Sequence, residues 1–350
     1  MQEAERIIKV GIVGLGTGKK HHIPGYKSHP NAKIVAIADQ NDELLQKVGH
    51  AENVPGRYNH LEDMLSNEKL DIVSICLPNF LHRSSVKFAL EHGCNVLCEK
   101  PMAMNAVEAE DMLECAKRTG KRLMINFSSR TNPHAHAMKE LVDNGSIGDI
   151  YFARSIWLRR RRLPGFGGWF GDRHYSGGGP IIDLGVHRLD LALYLMGFPE
   201  VDYVMASTYN FLGNEMAQAA NKKFNVEDFG VALIRFKNGA TLELEASWAA
   251  NIKEREHIST RILGKKGGML YHNIGDSYEA TLEYFSEIDG AHFDSQIHNP
   301  VNGAHSNMYN FVEAILHNTQ HSPSAEEGVA VMRILDAIYE SASKNMPVKL

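Results

Sequence analysis

The chain has 350 residues, too many for one ordinary core, which predicts two domains. Hydrophobic residues make up 43% and charged residues 23%, the balance of a globular protein rather than a disordered or membrane-embedded one. A net charge of −5 argues against a nucleic-acid binder, which needs a basic surface, and gives no attraction to an anionic bilayer.

The N-terminal residues Met1–Arg6 carry acids and run straight into a strand, without a signal-peptide pattern, and no apolar stretch is long enough to span a bilayer. Apolar β-branched runs follow at Ile8–Val13, Ile34–Ala38, Ile72–Leu77, Val96–Leu97 and Leu123–Phe127. Helical patterns lie between them, including Ser84–Glu91 and Ala106–Arg118, the latter closed by Gly120. Continuous apolar strands joined by helices predict a parallel sheet covered on both faces, a Rossmann-like doubly wound domain over residues 1–126.

After Phe127 the pattern changes. A helix at Pro133–Asp143 leads to strand-like pieces at Ile150–Leu158, Val201–Tyr209, Phe229–Phe236, Ala240–Ala250, His257–Leu263, Gly268–Tyr271 and Glu279–Phe285. The turns Lys237-Asn238-Gly239 and Gly264-Lys265-Lys266-Gly267 join hairpins. Residues 127–350 therefore predict an α+β domain with a large, mainly antiparallel open sheet. The helix Ile181–Met196 interrupts that sheet, and the helices Asn307–His317 and Ala325–Ser343 close the chain, the last one a candidate to pack back on the first domain. Cys76, Cys94, Cys98 and Cys115 lie in or near apolar segments without zinc-type spacing and read as buried free thiols, which points to a reducing compartment and a cytoplasmic protein.

Strand one ends in Val13-Gly14-Leu15-Gly16-Thr17-Gly18-Lys19. Glycines here let the backbone turn tightly and approach a pyrophosphate, so Gly14, Gly16, Thr17 and Gly18 are candidate dinucleotide contacts. The third position of the G-x-G-x-x-G/A pattern is Lys19, an imperfect match for which Gly18 is the substitute. Asp39 ends strand two, where a carboxylate accepts from ribose hydroxyls and repels a 2′-phosphate; this favours NAD over NADP. Pro78 and Asn79, at the end of strand four, either line the same site or cap the following helix.

Two further stretches carry chemistry. Cys98-Glu99-Lys100-Pro101 ends a buried strand, and Asp183-Leu184-Gly185-Val186-His187 spaces a carboxylate and an imidazole four apart on one helix face. Lysine, aspartate and histidine together suffice to move a proton off a hydroxyl while its carbon gives up hydride. Burial lowers a lysine pKa and a neighbouring carboxylate opposes that shift, so Lys100 can be tuned as donor or acceptor.

Glu99-Lys100-Pro101, with Gly177 to His187 downstream, resembles the Gfo/Idh/MocA oxidoreductases, the glucose–fructose oxidoreductase and inositol dehydrogenase family, over nearly the whole chain. The resemblance implies that Lys100 hydrogen-bonds the reacting hydroxyl, that His187, aided by Asp183, is acid or base, that Glu99 and Lys100 lie by the cofactor, and that the Lys100–Pro101 bond is cis. The stretch Trp157 to Phe170 resembles a subgroup that includes levoglucosan, scyllo-inositol and glycoside 3-dehydrogenases. Alternate arginines on a strand face opposite ways, so at most two of Arg159–Arg162 face one cleft. Arg159, Arg161, Trp169 and Asn126 are the candidate substrate contacts, with Arg130 and His305 as weaker rim candidates. The pairs His134 with His136 and His21 with His22 lack a third ligand, and no metal is expected.

The resulting expectation is an NAD-dependent dehydrogenase oxidising a secondary ring hydroxyl, at C3, of a pyranose sugar, glycoside or cyclic polyol. It is expected to form a homodimer or homotetramer through its C-terminal sheet. Two alternatives stay open: a redox-neutral enzyme that keeps NAD(H) bound while it swaps hydride, epimerises or eliminates, and a non-catalytic regulator that senses sugar or NAD.

Overall fold

The computed structural model describes residues 6–164, 168–298 and 305–350. They form two compact units, Met1–Phe127 with His305–Ala330, and Ser128–Ala304 with Val331–Leu350.

The first unit is built on six parallel strands: β1 (Ile8–Val13), β2 (Ala32–Ala38), β3 (Gly56–Tyr58), β4 (Ile72–Ile75), β5 (Asn95–Cys98) and β6 (Leu123–Ile125). They lie in the order β3-β2-β1-β4-β5-β6, a doubly wound sheet in which the chain reverses direction across the sheet between β1 and β4. The central strands are apolar on both faces because helices cover both: every residue of β4 is buried, as are Ile8, Val10, Ile12 and Val13 of β1. Met308, Phe311 and Val312 of the late helix Asn307–Leu316 join this core beside Tyr26 and Ile23, so a segment from near the C-terminus completes the first unit. The short strand β3 escapes sequence reading because it has no apolar run, only Gly56-Arg57-Tyr58 against the end of β2.

The second unit carries a nine-stranded sheet. Its strands are β7 (Ile150–Arg159), β8 (Val201–Tyr209), β9 (Phe229–Phe236), β10 (Thr241–Ser247), β11 (Glu256–Gly264), β12 (Gly267–Asn273), β13 (Ala280–Ile288), β14 (Ala291–Ile297) and β15 (Val348–Lys349). The order is β14-β13-β12-β11-β7-β10-β9-β8-β15. Burial alternates along β9 and β10, the mark of a sheet with one covered and one open face. Met205, Leu233, Arg154 and Arg261 share a row on the open face. Every pairing is antiparallel except β10 with β7, and the long excursion between those strands is what a parallel pair requires. Edge strand β14, with all but its last residue exposed, and the two-residue β15 give no hydrophobic signal in the sequence.

Candidate active site

In the first unit the expected cofactor residues gather at the carboxyl ends of the parallel strands. Gly14 follows β1 with φ of 89°, and a Cβ there would stand 2.4 Å from the carbonyl oxygen of Cys76. Only glycine fits. Gly16 by contrast faces open space: a Cβ there would meet nothing within 4 Å, so the turn leaves room against its backbone. Gly18 takes the close-packing position that Lys19 cannot: its Cβ would meet Ile12 of β1 at 2.9 Å. The helical run then passes through a π turn, Gly18–His22, which takes up one residue more than an α turn and brings His22 fully inside.

Asp39 bridges two loops. One carboxylate oxygen accepts from Leu15 N at 2.7 Å and the other from Asn41 N at 2.8 Å. Each oxygen retains a second lone pair for a ribose hydroxyl. Pro78 precedes the short 3₁₀ turn Asn79–Leu81, in which Asn79 is buried. A glycine turn with an open face, a helical run behind it and a carboxylate at the end of the second strand fit a dinucleotide, with Gly14 to Gly18, Asp39, Pro78 and Asn79 as the residues that would hold it.

Lys100 follows β5, and its bond to Pro101 is cis. Behind it lies a buried polar network. Glu99 Oε1 accepts from His22 Nε2 at 2.8 Å and from Asn126 Nδ2 at 2.7 Å, while Oε2 accepts from the Lys100 backbone N–H at 3.2 Å. A carboxylate only accepts, so His22 Nε2 donates to Glu99; His22 Nδ1 lies 3.0 Å from Ser74 Oγ, which also hydrogen-bonds Tyr26 Oη at 2.8 Å. Asn307 Nδ2 donates to Asn126 Oδ1 at 2.9 Å. Burial pushes the Glu99 carboxyl up, but the hydrogen bond and electrostatic attraction of His22, the hydrogen bond from Asn126 and the charge of Lys100 outweigh it and bring the pKa down to about 2. Asn126, expected at the substrate, is 5% exposed and sits inside this network. His82, also fully buried, places its two ring nitrogens 2.8 Å from the carbonyl oxygens of Pro101 and Leu77, tying the lysine loop to the end of β4.

In the second unit Gly177-Gly178-Gly179-Pro180 leads into a π turn, Ile181–Gly185, and then the α-helix Val186–Met196. Asp183 thus lies on a π turn rather than on a plain α-helix, a local widening frequent at functional sites. Its Oδ2 accepts from Trp248 Nε1 at 2.9 Å. The His187 ring lies 5.6 Å from that of Trp157. Glu227 holds the turn from below: its carboxylate accepts from Gly179 N at 2.9 Å, Ile181 N at 3.1 Å and Tyr339 Oη at 2.8 Å.

The arginine run does not follow strand parity. β7 ends at Arg159, and beyond it the chain bends so that Arg159 and Arg162, not Arg159 and Arg161, share one carboxylate: Glu256 accepts from Arg159 Nε at 2.8 Å and Arg162 Nη1 at 3.2 Å. Arg161 turns to the 250–251 loop, donating to Ala250 O and Asn251 Oδ1. Trp169 is half-buried and stacks on Phe170 at 3.9 Å. Gly165, Phe166 and Gly167 of the same stretch lie outside the described residues. Arg130, a weaker rim candidate, is buried and paired with Asp190 through two hydrogen bonds of 2.9 and 2.6 Å, because helix Val186–Met196 brings that aspartate opposite it. His305 is exposed and stacks on Tyr309 at 3.9 Å. Sequence reading weighed His22 only as a metal ligand and missed His82, which has no motif, and Glu227 and Trp248, whose partners are distant in the chain. Among the described residues no group of three His, Cys, Asp or Glu is placed to hold a metal, and no helix is long and apolar enough to cross a membrane. All four cysteines are buried free thiols.

Residues 8–127 match the family model for the oxidoreductase family with an NAD-binding Rossmann fold, and residues 139–350 match the C-terminal alpha/beta domain of the same family. The chain belongs to the Gfo/Idh/MocA oxidoreductases. As a member it is an NAD(P)-dependent oxidoreductase, and NAD is the cofactor its first unit is built for. Among its Gfo/Idh/MocA relatives, the D-glucoside 3-dehydrogenase of Escherichia coli K12 is 32% identical over 98% of this chain and 97% of its own length. The aldose-aldose oxidoreductase of Caulobacter crescentus, solved with glycerol, superposes with a TM-score of 0.84 at 25% identity, covering 99% of this chain and 100% of that one. A levoglucosan dehydrogenase solved with NADH and levoglucosan gives 0.87 over 98% of this chain and 99% of its own, and at 23% identity shares the fold.

Proposed function

We propose that the protein is an NAD-dependent dehydrogenase that oxidises a secondary ring hydroxyl, at C3, of a pyranose sugar, glycoside or cyclic polyol. The observation that carries this reading is the end-to-end likeness to the D-glucoside 3-dehydrogenase in a chain that has Lys100, Asp183 and His187. When bound, NAD supplies the hydride acceptor. Lys100 Nζ hydrogen-bonds the substrate oxygen and stabilises it as it becomes a carbonyl. His187 takes the hydroxyl proton and passes it to solvent. Asp183, fixed by Trp248 Nε1, orients the imidazole. Glu99 acts from behind Lys100, held by His22 and Asn126.

Two further parts of the reading rest on other features. Buried free thiols support a cytoplasmic enzyme. The exposed Met205 and Leu233 on the open sheet face support a homo-oligomer formed through that face.

The test is excess NAD with the purified protein and a panel of glycosides, free sugars and inositols, followed by nicotinamide absorbance. Reduction with one ring class, and a 3-keto product, is the expected result. The likeness to an aldose-aldose oxidoreductase favours a second reading, in which the cofactor stays bound and hydride passes between two sugars. That reading predicts no net NADH release, but label exchange between two sugars. Neither NADH nor exchange with any substrate would sink both.

A further inference from the structure

Resting on the reading of His187 as catalytic, one feature of the second unit narrows the substrate. A cavity of about 290 Å³ lies against the helix that carries His187, walled by Ser129, Asn132, Trp157, His187, Arg188 and Tyr271 among others. Its volume is near the lower end of small-molecule sites, about 300 Å³. Arg188, the residue after the histidine, is 4% exposed. Its Nη2 donates to Ser129 Oγ at 2.9 Å, but buried Nε and Nη1 have no hydrogen-bond partner among the described residues. The guanidinium lies over the rings of Trp157 at 5.4 Å and Tyr271 at 6.0 Å, which hold the plane without satisfying the N–H groups.

An arginine does not shed its charge at any physiological pH, so the cavity wall holds a fixed cation. No Asp or Glu lines it among the described residues. The carboxylates of Asp190 and Glu256, on neighbouring elements, are already engaged. Asp190 is chelated by Arg130, and Glu256 is shared by Arg159, Arg162, Trp157 and Tyr278. A buried guanidinium with two N–H groups left unbonded, whose neighbouring carboxylate Asp190 is already bound by Arg130, is costly unless something completes it.

We propose that Arg188 is a specificity residue and that this cavity takes an anionic substituent of the substrate, a carboxylate or a phosphate ester on the sugar. The bound anion completes the guanidinium's hydrogen bonds and its charge together. The hydroxyl to be oxidised belongs to the same ring, beside His187. Asn132 and Tyr278, neutral and hydrogen-bonding, suit the remaining ring oxygens.

The test compares kcat/KM, with excess NAD, for methyl glucoside against methyl glucuronide and for glucose against glucose 6-phosphate. One anionic member should exceed its neutral counterpart by about 30-fold, the value of a charged hydrogen bond. The carboxylate and phosphate arms separate the two sources of the anion. In Arg188→Gln that preference should collapse toward one, while Arg188→Lys, which keeps charge but not planar geometry, should hold part of it. Calorimetric binding of methyl glucuronide and glucose 6-phosphate in the presence of NADH is independent of turnover. If either anion binds the wild-type protein and not Arg188→Gln, yet no sugar reduces NAD, the dehydrogenase reading fails and this inference stands. Neutral sugars equal to or better than both anions in the wild-type protein would overturn it, a result that needs no folded variant. So would a preference that Arg188→Gln leaves intact.

Discussion

At the scale of single residues, the proposed chemistry turns first on Lys100. Lys100→Met keeps length and apolar stem but removes the donor from the substrate oxygen, so turnover should fall by about 10²- to 10³-fold, the cost of losing one donor to a developing oxyanion. NAD binding, followed by protein fluorescence, should persist; a variant that still turns over at wild-type rate would remove Lys100 from the chemistry. Glu99 makes a second prediction, through pH. Its folded pKa, about 2, lies below the ordinary 4.5. A depressed carboxyl contributes stability that is fully present above 4.5 and is lost as pH falls from there toward 2. Chemical denaturation at a series of acid pH values should therefore show wild-type stability falling across that window. Glu99→Gln should be less stable at neutral pH and flatter with acid; an equal slope in both proteins would assign the acid sensitivity elsewhere.

At the scale of elements, the turn that carries Asp183 is fixed by glycines with distinct jobs. Gly177 ends a short helix at φ of 83°, a Cβ on Gly178 would stand 2.0 Å from Tyr339 Oη, and one on Gly179 would stand 2.1 Å from the Glu227 carbonyl oxygen. Backbone cannot yield as a flexible side chain does, so Gly179→Ala should cost about 1–3 kcal/mol as overpacking and displace Asp183 as well. Thermal melts and kcat together test this: loss of activity at temperatures where the variant is fully folded is the expected result, and unchanged kcat would separate the turn from catalysis. Sequence alone makes much of this scale legible. The helix Pro133–Asp143 and the strands Val201–Tyr209 and Phe229–Phe236 match their apolar periodicity residue for residue. What it hides has physical causes. Edge strands such as β14 bury almost nothing and so leave no pattern. The π turn at Ile181 looks like a helix by periodicity because it differs by one residue. The His22–Glu99–Asn126–Asn307 network spans most of the chain, and no local window contains it. Asn126 illustrates the limit: residue type and position after a strand point to a polar contact, but only the fold shows that Glu99 is its partner.

At the scale of the whole molecule, the cofactor is a folding ligand of the first unit, so the choice between NAD and NADP can be read without any substrate. A ligand that binds only the folded form stabilises it by RT ln(1 + [L]/Kd), about 2.7 kcal/mol at a hundredfold excess over Kd. NADP carries an additional, negatively charged phosphate at its ribose, and in the proposed site that ribose would meet the Asp39 carboxylate, which is held by Leu15 N and Asn41 N. Its position is thus set by the backbone on both sides, and it cannot swing away to relieve repulsion. Calorimetric scans at equal concentration should show a larger upward shift with NAD than with NADP. Asp39→Asn removes the charge and keeps one carbonyl acceptor for the two N–H groups. The unliganded protein should then melt lower, by the loss of one hydrogen bond, while the NADP shift rises toward that of NAD. Equal shifts in the wild-type protein would mean that Asp39 serves only to join the glycine turn to the loop after β2, and that cofactor choice lies with another residue.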